Sequence, residues 1–138
     1  MKFFDTNILL YAVSDQDPRK KIIACDILRH ALETNHDGCI SVQVLNEFSN
    51  ALLGKLKTPI EAVDGFLTGY RDLLRSDITM DLVRNAVAIK AEYGIHFYDA
   101  VIVATAAKLH CTELYTEDLN DGQVYCGVKV VNPFLEKE

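Results

Sequence analysis

The sequence predicts an α/β protein, a three-layer α/β/α arrangement around a central, mostly parallel sheet of about five short strands. Two observations carry that expectation. Short apolar segments, near residues 1–4, 39–40, 78–80, 113–116 and 128–131, alternate with longer stretches whose apolar residues recur at helical spacing. One of those stretches, residues 97–110, is apolar nearly all round, which suits a helix enclosed by the rest of the molecule. Such alternation covers both faces of a parallel sheet with helices.

Taken in order, the chain opens with an apolar strand that stops at Asp5-Thr6-Asn7, followed by a loop. Starting so abruptly, it is expected to lack a signal peptide. Asp17-Pro18 starts a helix, aspartate as cap and proline in the first turn, with Ala24, Ile27, Leu28, Ala31 and Leu32 as its apolar stripe. Arg19, Lys20 and Lys21 cluster at its near end, either as a solvated face or as a phosphate contact. Asn35-His36-Asp37-Gly38 stops it. After the Cys39-Ile40 strand, Ser41 caps a helix over residues 42–53, ended by Gly54 and Lys55-Leu56-Lys57. Thr58-Pro59 opens a helix with Val63, Phe66, Leu67, Tyr70, Leu73 and Leu74 facing the core. A strand at Ile78-Thr79-Met80 precedes a helix capped by Asp81 and stopped at Gly94. Past the buried helix, a strand at 113–116, an Asn120-Asp121-Gly122 turn and a strand at 128–131 complete the chain.

With 138 residues, no internal repeat and no linker, residues 1–138 read as a single domain. No apolar run approaches a membrane span, so no membrane association is expected. Cys25, Cys39, Cys111 and Cys126 form no C-x-x-C pair and the four histidines show no ligand spacing, which argues against zinc. Four buried, reduced thiols in a cytoplasmic protein are expected instead. A net charge of −6 argues against a broad basic surface for nucleic acid. If Asp5, Glu47, Asp99, Asp118 and Asp121 converged on one site, only −1 would remain for the rest of the molecule.

Placing these acids on their elements sorts them. Asp5 and the Thr116-Glu117-Asp118 segment each follow a strand, and ligands of open α/β sheets bind beyond the carboxyl ends of strands at the switch point. Asp99 projects between Ile102, Val103 and Ala106, inside an apolar arc, where an unpaired charge is costly. A first-turn acid satisfied by free N–H groups is the plainer account, but it leaves the core-facing side unexplained, which favours a functional role. Glu47 lies beside Ala51 on the border of its helix's apolar face, and Asp121 either joins the cluster or forms the Asp121-Gly122 turn. Crowded carboxylates repel unless a cation is present, and oxygen ligands suit Mg²⁺ or Mn²⁺. The chemistry implied is metal-assisted hydrolysis of a phosphodiester.

The motifs Phe4-Asp5-Thr6-Asn7-Ile8-Leu9, Asn46-Glu47-Phe48, the Tyr98–Ala106 segment with Asp99, and Tyr115-Thr116-Glu117-Asp118 together resemble the PIN-domain family, in particular toxin ribonucleases of VapC type. The resemblance covers essentially the whole chain. It implies a PIN-like parallel sheet with the first and fourth strands adjacent. It also implies a Mg²⁺ (or Mn²⁺) site built by Asp5, Glu47, Asp99 and Asp118, with Thr6, Asn7 and Thr116 orienting those carboxylates. Relatives often carry a second acid just after the fourth; here the nearest is Asp121, so Asp118, Asp121 or both are candidate ligands. The implied function is endoribonuclease, as the toxin of a toxin–antitoxin pair. Its partners would be an RNA substrate, a small antitoxin seated near Leu9, Leu10 and Tyr11, and a second copy in a homodimer. The alternative is a catalytically inactive PIN-like module that binds RNA or protein. A haloacid-dehalogenase-like phosphatase needs a second Asp two residues after the first, where Asn7 stands, and a receiver domain needs an acceptor and lysine placed otherwise.

Overall fold

A computed structural model describes residues 1–34 and 37–136. The expected helix stop at Asn35-His36 lies outside the described residues. The elements run β1 (Lys2–Phe4), α1 (Thr6–Val13), α2 (Pro18–Thr34), β2 (Gly38–Ser41), α3 (Val42–Gly54), α4 (Ile60–Tyr70), β3 (Leu74–Ser76), α5 (Met80–Tyr93), α6 (Phe97–Lys108), β4 (Glu113–Tyr115), β5 (Val124–Tyr125) and β6 (Val128–Val131). The strands form one sheet in the order β3-β2-β1-β4-β6-β5, parallel except for β5. It holds six strands rather than about five.

The chain builds β1, β2 and β3 in one direction, then crosses back to place β4 on the other side of β1. That reversal makes the junction of β1 and β4 the switch point, open at the carboxyl ends of both strands. Phe4 pairs with Tyr115, so the residues that follow, Asp5 and Thr116, emerge side by side. The Asp5 N–H donates to the Tyr115 carbonyl at 3.0 Å, carrying the pairing one residue beyond the strands.

Four local expectations are corrected. Residues 6–13 are helix α1, not loop: Asp5 is its N-cap, with extended backbone and a side chain accepting from the Thr6 N–H. The third strand is Leu74–Ser76, after a single 3₁₀ turn at Arg71–Leu73, and not 78–80. Leu74 therefore belongs to the sheet, and Thr79 rather than Asp81 caps α5, its hydroxyl accepting from the Leu82 N–H at 3.2 Å. The extra strand, β5, forms a hairpin with β6 across Cys126 and Gly127, both at positive φ, the backbone of a type I′ turn.

Phe3, Phe4, Ile8, Leu9, Ile40, Val44, Phe48, Val103 and Leu114 are fully enclosed in the core. α6 buries every residue from Ala100 to Ala106, as its all-round apolar sequence requires. Strand β2 passes so near Phe4 and Ala31 that a Cβ on Gly38 would sit 2.4 Å from the Phe4 ring, and only glycine fits. Of the four cysteines only Cys39 and Cys111 are buried, their sulfurs 3.4 Å apart; Cys25 and Cys126 are exposed.

Candidate metal centre

The centre is built where β1 and β4 end and where α1 and α6 start, and a helix start has backbone N–H groups to spare. Asp5 closes β1 and caps α1. Its two oxygens are both engaged, one by the Thr6 N–H at 2.7 Å and the other by the Thr116 hydroxyl at 2.8 Å. Asp99 is the third residue of α6, half-buried at the mouth of the groove. Asp118 follows β4 and is exposed. One carboxylate oxygen from each of Asp5, Asp99 and Asp118 lies within 4.8 Å of the others. Residues 5, 99 and 118 thus meet although more than ninety positions separate the first from the second.

Thr116 is the hub. Its hydroxyl donates to Asp5 and accepts from the Asn7 side-chain amide at 3.2 Å and the Asp118 N–H at 3.1 Å. One donor and two acceptor positions is the whole capacity of a hydroxyl, so its orientation is fixed. Asn7 also donates to Asp118 at 3.3 Å. On the opposite wall, Glu47 is exposed on α3 and accepts from the Thr6 hydroxyl at 3.0 Å and from Gln43 at 2.7 Å. Asp121 stands apart from this group: its carboxylate accepts from the Asn132 N–H at 2.8 Å, holding the turn before β5 against the end of β6.

Burial governs the electrostatics. Asp5 is enclosed, and loss of hydration raises its carboxyl to about 7, with Asp118 and Glu47 adding repulsion and the two hydrogen bonds opposing. Asp99 is raised above the ordinary carboxylate range, first by burial and then by Asp118, while His96 lowers it. Three acids in mutual repulsion, one fully desolvated, form a site that a hard divalent cation would relieve. A second observation fits such an ion. Asn7 Oδ1 and Gln43 Oε1 are buried acceptors without a donor among the described residues, one on each wall of the group. Buried polar atoms rarely go unpaired, and a hydrated Mg²⁺ or Mn²⁺ brings water donors with it.

Two residues at the site were not singled out from the sequence. Gln43 is four residues before Glu47, one helical turn away, and that spacing was the available signal. Glu117, between Thr116 and Asp118, turns away from the group. It accepts from the Tyr11 hydroxyl at 2.6 Å and from Lys20 Nζ at 2.8 Å, while Lys20 sits over the Tyr11 ring. Lys20 is thereby committed to holding the β4 loop. Arg19 donates to the Phe134 carbonyl and Lys21 to Asp15, so all three members of this cluster make contacts within the chain. Leu9 belongs to the core; Leu10 and Tyr11 line a pocket beside the centre with Asn7, Lys55 and Glu117.

Residues 2–123 match the family model of the PIN domain. Among solved structures, the chain is similar to one described as a toxin–antitoxin complex from Klebsiella pneumoniae, at 25% identity and a TM-score of 0.68, covering 96% of this chain and 98% of that one. It is similar in fold to VapC20 of Mycobacterium tuberculosis, described as a Sarcin-Ricin loop cleaving toxin, at 18% identity and a TM-score of 0.63, covering 83% and 87%. FitAcB of Neisseria gonorrhoeae matches at 17% identity and a TM-score of 0.63, covering 97% and 99%. No curated protein matches the sequence.

Proposed function

The chain belongs to the PIN domain family, and from that premise we propose that it is a metal-dependent endoribonuclease, the toxin of a toxin–antitoxin pair. The observation that carries this reading is the convergence of Asp5, Asp99 and Asp118 at the switch point of the sheet. Asp5, Glu47, Asp99 and Asp118 would hold Mg²⁺ or Mn²⁺, with Asp121 left to its turn. When bound, the ion activates water and offsets the charge that builds on the phosphodiester.

The chain's own residues prepare that chemistry. Thr116 and Asn7 keep Asp5 and Asp118 facing one another, and Thr6 and Gln43 hold Glu47 from the other wall. Because Asp5, Glu47 and Asp118 are already oriented, less reorganisation is left for the reaction step. The enclosed floor at Asp5 and the exposed rim at Asp118 and Glu47 leave the centre open on one side, from which a strand of RNA would approach. Lys55, which lines the pocket that includes Asn7, would supply a cation for a neighbouring phosphate. The sparse basic surface favours an RNA recognised locally over long nonspecific tracts.

The same reading carries an antitoxin segment seated over the Leu10–Tyr11 pocket, a homodimer, a cytoplasmic location and a single domain over residues 1–138. The direct test is cleavage of a panel of RNAs, tRNA included, by purified protein with Mg²⁺ or Mn²⁺, against Asp5→Ala and Asp99→Ala. Both variants are expected to lose activity by roughly a hundredfold or more, and chelator to silence the wild type. Equal behaviour of all three across the panel would overturn the nuclease and favour a binding module.

A further inference from the structure

Holding Glu47 accounts for only part of what Gln43 does. It is a polar side chain on the first turn of α3, yet it is only 6% exposed, enclosed at the wall of the acidic group. Its Nε2 donates to Glu47 Oε1 at 2.7 Å and to the Tyr98 carbonyl at 3.2 Å. Both partners are acceptors only, so the amide cannot be reversed without setting oxygen against oxygen. The orientation is therefore dictated, and it leaves Oε1 buried with no donor among the described residues. An unmet buried acceptor is costly, and a helix of ordinary composition has cheaper residues for that position.

We infer that Gln43 is a positioning residue of the metal centre, completed only when a hydrated divalent cation arrives. This rests on the metal-centre reading above and adds a residue to it. The amide joins the two elements that approach the group from one side: Glu47 on α3, and Tyr98, whose next neighbour on α6 is Asp99. Its N–H₂ fixes the spacing of those acids before the ion binds. Its free oxygen is the acceptor for water that the cation brings, since Mg²⁺ and Mn²⁺ retain part of their hydration in protein sites. Groups that orient ligands in this way contribute to affinity without touching the metal.

The test is Mn²⁺ binding without RNA, read from the loss of the free-ion signal in electron paramagnetic resonance. It compares wild type with Gln43→Met, which keeps the bulk and removes both polar functions, and Gln43→Asn, which keeps the amide but shortens its reach. Metal-free melting temperatures are recorded alongside. Both variants are expected to bind Mn²⁺ more weakly by roughly ten- to a hundredfold, with metal-free melting close to wild type. Should Gln43→Met not fold, Gln43→Asn carries the same expectation. A side chain that merely packs would lower melting and leave the affinity of the folded protein unchanged, and that result overturns the inference while the metal centre stands. If the wild type itself fails to take up Mn²⁺, the centre and this role for Gln43 fall together.

Discussion

Asp5 does three jobs with one carboxylate: it ends β1, caps α1 and forms the floor of the acidic group. Its carboxyl, raised to about 7 by burial, makes a pH prediction for the metal-free protein. In the unfolded chain the group ionises near its ordinary value of 3.8, so above that pH the folded state holds more protons than the unfolded one. Stability must then fall as pH rises from about 4 to about 7, and level off beyond. Asp5→Asn has no proton to lose, so across that range it should gain on the wild type by on the order of 4 kcal/mol. Denaturant unfolding in chelator measures this, and parallel stability curves would refute it. The acids themselves were legible in the sequence, because a carboxylate at a strand end or inside an apolar arc breaks the local pattern. Gln43 and Glu117 broke no pattern. Their roles follow from neighbours far along the chain, Tyr98 for one and Tyr11 and Lys20 for the other.

Elements with long periodic stripes were readable: α2, α3, α5 and α6 stand where helical spacing puts them, and α4 does so up to Tyr70, short of Leu73 and Leu74. Short elements with ambiguous chemistry were not. α1 has eight residues, and its opening Asp5-Thr6-Asn7 is as good a turn as it is a cap. β5 has two residues, and Cys126-Gly127 lacks the Asn-Gly that usually marks a type I′ hairpin. The end of α6 hides a similar feature. The His110 N–H bonds the Ala107 carbonyl and the Cys111 N–H bonds that of Ala106, a Schellman ending with His110 at φ 59° in the position glycine usually takes. His110 is exposed and its side chain has no partner among the described residues. His110→Gly is therefore expected to stabilise the protein by about 0.5–1 kcal/mol, removing left-handed strain. Thermal unfolding decides it: a lower melting temperature would mean that the side chain contributes more than its backbone conformation costs.

Across the molecule, much of the net charge of −6 stands at one end of the sheet, where β1, β4, α3 and α6 converge. Folding brings those charges together at a cost, and a divalent cation binding only the folded state returns stability through mass action. With metal at a hundredfold excess over its dissociation constant, the gain is about 2.7 kcal/mol. For a chain of this length that corresponds to a rise in melting temperature of roughly 8 °C. Chelator should remove the shift, and Asp118→Asn, at the exposed rim where folding is least affected, should largely abolish it. An equal shift in that variant would place the ion elsewhere.

What the sequence determined by itself was the class of fold, the five long helices and the identity of the acids, since periodicity and a misplaced charge are local properties written along the chain. The tertiary structure decided which acids meet. Asp5, Asp99 and Asp118 come together because β4 returns beside β1 and α6 starts at the same edge. It also decided that Asp121 is held by the Asn132 N–H, and that Lys20 serves Glu117 instead of a phosphate. These are questions of distance between residues remote in sequence, and distance is set by strand order and register, which no window along the chain contains.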